Sequence, residues 1–504
     1  MTSGKSIVAI DICALIFGFF LGLCILKFGD PVILDQKIFP PANFSEFLSD
    51  SWPTHWANWI FFPLAAIIAI VAFFDGGDGA LRRPQTVAQT SRSVVSHPAL
   101  RDKSARRTTS NDLPISKSAI QQVWEPVLLL PVLWLGWQFV SATRTVDPNL
   151  TATTLWQFCG CAVCFFTGAF LFNTPRRFNL LLPGILVAFA ICLVCAIRQR
   201  IEFPQDTKFL LQEQHLGWTN LPPQSLEEMR RDQTIITTNG VDVVNPTILA
   251  KFQKGRVMGT MVYPNALAQI ILLLFPVAFV LVIHGTKNLR PVIRGPAVAV
   301  SVALAAGAFF WSGSKFGWLI AIGIGALYLF RLPWPFKFKM AALALVAVLG
   351  IGVFAIRFHS YFAHGATSAV ARLDYWRAAV QTTLSHPGFG SGPGTFQRPY
   401  AMLKSPEAEM ARLAHNDYLE QFSDSGFPGG VFYSAWVAIA LWIILTRGWK
   451  SHDVIEIALL LGLFGWSIQE LGEFGLYIPA SAWTAFTLFG CALAMVTKPR
   501  ISDP

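Results

Sequence analysis

Residues 371–430 hold the densest run of side chains able to do chemistry in this 504-residue chain. His415, Asn416, Asp417, Tyr418 and Glu420 stand almost side by side, and Arg372, Asp374 and Trp376 lie upstream. An imidazole accepts a proton near neutral pH. Asp374, Asp417 and Glu420 are alternative bases, and Asn416 and Tyr418 are of a type that orients a base or a hydroxyl substrate. A guanidinium binds anionic oxygens through a planar fork. Gly388, Gly390, Gly392 and Gly394 fall at alternate positions between the two groups. Such spacing allows unusual backbone angles and close approach of a ligand. It matches neither a P-loop nor a dinucleotide fingerprint, and no strand precedes it, so it reads as a tight turn. The periodicity predicts an amphipathic helix over 366–384, with Val370, Leu373, Trp376 and Val380 on one side. A second helix is expected over 404–423, carrying His415. The chain then turns at Gly426, Pro428, Gly429 and Gly430 into an apolar stretch.

Other reactive residues carry less. All eight cysteines lie in apolar stretches, and Cys192 and Cys195, although spaced as CxxC, have only Ile, Leu, Val and Ala around them. They read as packing residues. His359, His364 and His386 read as surface or turn residues. His359 and His364 lack a carboxylate at ligand spacing, and the polar loops hold no DxD motif of the kind that fixes a cation on pyrophosphate. No metal and no cofactor are expected.

Those residues must be held by membrane helices. The chain is 53% hydrophobic and 13% charged, and soluble domains carry about 25% charged residues. Disordered, collagen-like and ordinary soluble chains are excluded. Twelve stretches reach or approach the roughly 20 apolar residues of a span: 7–27, 57–74, 123–142, 153–172, 179–197, 263–284, 296–311, 315–330, 340–356, 428–446, 454–470 and 474–496. They lack the alternation of a membrane barrel, so the fold class is all-α, a polytopic membrane protein of about 12 transmembrane helices. The first stretch is too long for a cleaved signal and reads as a retained anchor.

With the N-terminus in the cytoplasm, the cytoplasmic connections collect Arg176 and Arg177; Lys287, Arg290 and Arg294; Arg331, Lys337 and Lys339; and Arg447 and Lys450. Both termini then lie in the cytoplasm. The net charge of +10 is mainly this topology signal, and nucleic acid is not needed to explain it. Five parts result: N-terminal helices (1–74), a disordered basic cytoplasmic linker (75–122), a membrane core (123–357) with outer loop 198–262, an outer loop (358–427), and C-terminal helices (428–504). Long outer loops escape the charge rule, so their arginines need another explanation.

The run from Arg372-Leu-Asp-Tyr-Trp376 through the glycine turn to His415-Asn-Asp-Tyr-Leu419 and Gly426 resembles the O-antigen ligase family. That superfamily also holds O-antigen polymerases and bacterial oligosaccharyltransferases. Arg256-Val-Met-Gly-Thr-Met-Val-Tyr-Pro-Asn265 is similar to the family's Arg, Gly, Pro-Asn pattern at the start of a span. Ser312-Gly-Ser-Lys315 is similar to its Ser-x-Ser-Arg pattern, with Lys where Arg is usual.

The resemblance implies a GT-C-like enzyme of the bacterial inner membrane with its active site on the periplasmic face. It implies transfer of a glycan from a polyprenyl-pyrophosphate donor to an acceptor hydroxyl, metal-independent and inverting. Arg256 and Arg372 would hold the leaving pyrophosphate, with Lys315 assisting. His415 would serve as base. Asn416, Tyr418, Trp376 and Asn265 would line the substrate site. The acceptor would be lipid A core (a ligase), another lipid-linked glycan (a polymerase) or protein. The long loop 198–262, with Trp218, Pro222, Pro223, Glu227 and Glu228, is a candidate for acceptor choice. A lipid-linked glycan transporter or flippase would also have about twelve spans, but the polar residues cluster in an outer loop and there is no inverted repeat with broken helices. A scaffold would explain neither the His-Asn pair nor the outer arginines.

Overall fold

The computed structural model describes residues 3–80, 117–238, 240–363 and 367–497. Most of the expected linker, 81–116, lies outside these residues, as do His364 and the C-terminal tail. In chain order the helices are α1 (Ser3–Lys27), α2 (Phe44–Ser49), α3 (Thr54–Ala80), α4 (Lys117–Ala142), α5 (Pro148–Phe170), α6 (Pro175–His215), α7 (Pro223–Arg231), α8 (Pro246–Lys254), α9 (Pro264–Gly285), α10 (Pro291–Ser312), α11 (Lys315–Arg331), α12 (Phe336–Ala363), α13 (Thr367–Ser385), α14 (Gln397–Leu403), α15 (Asp417–Gly448), α16 (Val454–Gln469) and α17 (Pro479–Thr497). Proline opens many of them, where its missing N–H and fixed φ favour a helix start. Side-chain caps complete several starts. Asp147 accepts from the amides of Asn149 and Leu150, and Thr174 from that of Arg177.

The protein is an all-α polytopic membrane protein. Among the described residues, nine helices are long and apolar enough to cross a membrane, and Val127–Ala142 and Val454–Gln469 are shorter apolar helices. The twelve apolar stretches of the sequence fall on α1, α3, α4, α5, α6, α9, α10, α11, α12, α15, α16 and α17, although α6 and α15 extend well beyond theirs. The last helix starts at Pro479 rather than 474, so residues 470–478 form a loop that carries Glu470 and Glu473.

The helices approach closely where glycines allow it. A Cβ on Gly18 of α1 would lie 2.0 Å from the Leu181 carbonyl oxygen of α6, and one on Gly490 of α17 would lie 2.1 Å from that of Phe165 in α5. Small residues at helix crossings replace the hydrophobic drive that lipid cannot supply. Aromatic side chains fill the centre: Trp134, Trp436, Trp466 and Trp483 are fully buried, and Trp436 stacks on Phe486 at 4.5 Å. The eight cysteines are free thiols within helices, Cys159 and Cys195 half-buried and the rest buried.

Residues outside the long helices correct several expectations. Helix α6 runs on to His215, so the loop expected from 198 begins as a helical extension. Beyond it, β1 (Ile235–Thr238) and β2 (Val241–Val244) pair antiparallel, Ile235 opposite Val244, a small departure from an all-helical chain. Trp218, Ile235 and Val244 form a minor core there with Leu210. The amphipathic helix is present as α13, but its buried side is Tyr375, Ala378, Ala379, Thr382 and Thr383. Val370, Leu373 and Val380 are exposed and Trp376 half-buried, the reverse of what their pattern suggested. The second helix is not formed over 404–423. Residues 404–416 are a loop, and α15 starts after it with Asn416 as cap.

Candidate active site

Four separate segments meet at one end of the bundle around the carboxylate of Glu473. Its Oε1 accepts hydrogen bonds from Arg372 Nη2 at 2.6 Å and from Asn265 Nδ2 at 2.6 Å. Its Oε2 lies 3.6 Å from His415 Nδ1, an ion-pair separation longer than a hydrogen bond. Asn265 in turn accepts from Arg256 Nη2 at 2.8 Å, and Arg256 Nε donates to the Ser312 carbonyl oxygen at 2.7 Å. The chain is thus Arg256, Asn265, Glu473, then Arg372 and His415. Glu473 is 3% exposed, whereas Arg372 and His415 keep 19% and 21%. The carboxylate is sealed, and the basic groups around it reach the surface.

Local folding explains each placement. Asn265 is the second residue of α9, at the membrane entrance of that helix. Ser312 ends α10, and Gly313 packs its backbone on the Arg256 side chain, with room for no more than a modest Cβ at 3.2 Å. Lys315 opens α11 one residue after its cap, Ser314. Arg372 rides on α13. His415 has a left-handed backbone, φ +52°, just ahead of the Asn416 cap, whose side chain accepts from Leu419 N. The imidazole sits in an aromatic cage. Phe474 meets it edge-on at 4.7 Å, Tyr375 stacks at 5.9 Å, and Tyr263 lies at 6.0 Å. Burial first, and the Glu473 charge second, push the Tyr263 phenol up to about 12. Burial, then the Glu409 carboxylate that accepts its hydrogen bond, push the Tyr375 phenol above its usual range. Both hydroxyls stay protonated at working pH.

The remaining predicted residues lie around this network in different roles. Trp376 packs beside the α13 core, and its indole N–H is buried with no hydrogen-bond partner among the described residues. Tyr418 points the other way, into the bundle, and donates to the Ser467 carbonyl at 3.0 Å. Two of the alternative bases, Asp417 and Glu420, and the nearby Asp424 each engage one carboxylate oxygen with backbone. Asp417 accepts from Leu476 N, Glu420 from Ala414 N and Asp424 from Gly394 N, all from fully buried positions. Glu470 behind them accepts from Gln269 and Gly475 N, and burial, then the adjacent Asp417 carboxyl, push it well above the carboxylate range.

The glycine turn serves the same scaffold. A Cβ on Gly394 would fall 2.0 Å from Thr154 Oγ1, and one on Gly426 would fall 2.3 Å from the Gly388 carbonyl oxygen. Gly390, Gly392, Gly394 and Gly426 let the chain approach itself, whereas a Cβ on Gly388 would meet nothing within 4 Å. Among the described residues, no group of three or more His, Cys, Asp or Glu is arranged to hold a metal ion.

Sequence reasoning missed Glu473, the centre of the network. A carboxylate at the mouth of an apolar helix was the available signal, since such residues are costly and usually functional. The apolar stretch from 474 made it look like a flank.

Residues 300–434 match the model of the O-antigen ligase family. That region covers the Ser312–Lys315 turn, α13 with Arg372, the glycine turn and His415. Arg256, Asn265 and Glu473 lie outside it in sequence and join it in space. No match is found among curated proteins.

Proposed function

We propose that this chain, which carries an O-antigen ligase domain and so takes part in glycan assembly at the membrane, transfers a glycan from a polyprenyl-pyrophosphate donor to an acceptor hydroxyl. The convergence of Arg372, His415 and, through Asn265, Arg256 on Glu473 carries the reading. Arg256 and Arg372, with Lys315 at the neighbouring helix start, bring three basic groups to a site whose nearby carboxylates are Glu473 and, bonded to Tyr375, Glu409, a set suited to a pyrophosphate. Glu473 holds Arg372 and faces Nδ1 of His415, which leaves Nε2 for the acceptor.

In the proposed reaction the acceptor oxygen attacks the anomeric carbon and gives its proton to His415 Nε2. The bond from that carbon to the phosphate oxygen breaks on the opposite side. The electron pair leaves with the polyprenyl pyrophosphate, held by the arginine forks. The product is inverted at that carbon, and the arginines take the place a cation has elsewhere. The membrane brings the donor by its lipid tail, which accounts for a sugar-handling protein so rich in apolar residues. The half-buried Trp376 and the sugar-facing surface of α13 form the glycan side. The site faces the periplasm of a bacterial inner membrane, and the acceptor is read as lipid A core. A polymerase or a protein O-oligosaccharyltransferase would use the same groups with another acceptor.

The test uses purified protein, a polyprenyl-pyrophosphate glycan and candidate acceptors. Wild type forms product, and His415→Ala and Arg372→Ala lower the rate by about 10²–10⁴-fold, the size of a lost base or a lost charge clamp. Unchanged rates in both variants overturn the site. Movement of the lipid across vesicles without transfer supports the flippase reading.

A further inference from the structure

We propose that a cavity between α9, α10, α11 and α16 binds an anionic glycerophospholipid whose headgroup lies at the end of the bundle opposite the active site. The cavity measures about 710 Å³, within the roughly 300–1,000 Å³ of ligand sites. Its walls are apolar, among them Leu272, Phe275, Ala305, Ile324 and Leu461. Its polar lining gathers at one end, where His284, Arg331 and His452 stand. From Leu272 to His284 along α9 it runs about 18 Å at 1.5 Å per residue. That is the shape of a chain with a charged head, and a soluble anion would gain nothing from such walls.

The direction of entry follows from packing. Toward the active site α11 closes on α16 and on the loop that follows it. A Cβ on Gly465 would lie 2.6 Å from Ile324, and one on Gly472 would lie 2.8 Å from Phe316. At the far end, among the described residues, the lining passes to Leu332 and Pro333 of the connection 332–335 and His452 of 449–453. Arg331 donates to the carbonyl oxygens of Trp449 and Ser451, which fixes its plane with several of its five N–H groups still to place. His284 bonds Val280 O through Nδ1, which turns its other nitrogen outward. Lys339 anchors on Phe330 O beside the same end. These groups match a phosphodiester in charge and place. The donor tail of the proposed reaction would start from Arg256 and Arg372, at the closed end. This inference does not rest on the transferase reading.

The experiment is native mass spectrometry of the full chain in detergent, titrated with dioleoyl phosphatidylglycerol or dioleoyl phosphatidylcholine. Wild type retains phosphatidylglycerol about tenfold more tightly. Arg331→Gln and, independently, His452→Gln reduce that preference, and the second covers the case in which loss of the Arg331 carbonyl contacts unfolds the protein. Gly325→Phe fills the cavity, since a Cβ there meets nothing within 4 Å. It abolishes retention of both lipids while the melting temperature stays near that of wild type. Equal retention of the two lipids by wild type, or wild-type retention by Gly325→Phe, overturns the proposal. So does displacement of phosphatidylglycerol by an equimolar polyprenyl phosphate, which would assign the cavity to the donor tail.

Discussion

Glu473 is the residue on which the proposed chemistry turns. Its two oxygens serve different groups: Oε1 fixes Arg372 and Asn265, and Oε2 faces His415. Truncating it would leave a half-buried guanidinium without its partner, so loss of activity in an alanine variant would be ambiguous. Glu473→Gln preserves shape and one acceptor but removes the charge and points an amide at either Arg372 or His415. We expect kcat to fall about 10–100-fold, with KM for the donor within about threefold of wild type, because the orientation of the base is lost while Arg256 still binds phosphate. A rise in KM alone would make Glu473 a donor-binding residue. Tyr263 supplies a control at the same scale. Its phenol is pushed up to about 12 by burial and then by Glu473, so it stays protonated below that pH. Tyr263→Phe therefore leaves the alkaline limb of the pH–rate profile where it is in wild type. A shifted limb would show that the phenol titrates in catalysis.

At the scale of elements, the glycine turn and the kink of α15 form one joint. Gly426 sits at φ +67° and ψ −173°, a region essentially reserved for glycine, and it touches Gly388. Gly426→Ala should destabilise the protein by about 3 kcal/mol or more, from strain and overlap together. The check is the melting temperature in detergent, where a midpoint equal to wild type would mean the joint relaxes freely. This joint was half legible in the sequence. Alternate glycines announce unusual backbone, but they do not say whether a ligand or the chain's own carbonyls come close. The helices themselves were legible because apolar length alone specifies a span. The face of α13 was not. Its larger apolar side chains are exposed, and its small side chains with Tyr375 face the core. In a membrane protein an apolar stripe does not by itself identify the inward side. Residues 404–416 mislead for another reason. Their Ala, Glu, Met and Leu favour helix, yet Tyr400 binds the Glu409 carbonyl and Glu420 caps the Ala414 amide, and these tertiary bonds outweigh propensity. Arg372 and His415 were found by motif. Glu473 had no motif and becomes visible only when α9, α13 and the 470–478 loop are brought together.

For the whole molecule, charge and site divide between the two ends of the bundle. Arg256, Asn265, Ser312, His415 and Glu473 share one end. Arg176 and Arg177 at the start of α6, Arg290 before α10, Arg331 at the end of α11, Lys337 in α12 and Arg447 near the end of α15 belong to junctions at the other. Two of these, the exposed Arg176 and the largely buried Arg177, both pair with buried Asp11. Short connections rich in Lys and Arg remain on the cytoplasmic side. The orientation proposed here therefore puts His415 outside and the basic junctions inside. Single cysteines read this directly, because the native thiols are buried or half-buried within helices. Ser405 and Lys450 are both exposed, the first in the loop before His415 and the second between α15 and α16. In intact spheroplasts a membrane-impermeant maleimide should label Ser405→Cys at once and Lys450→Cys only after lysis. The opposite pattern would put the arginine–histidine site in the cytoplasm, where a donor displayed on the outer leaflet cannot reach it, and the transfer mechanism would fail with the topology.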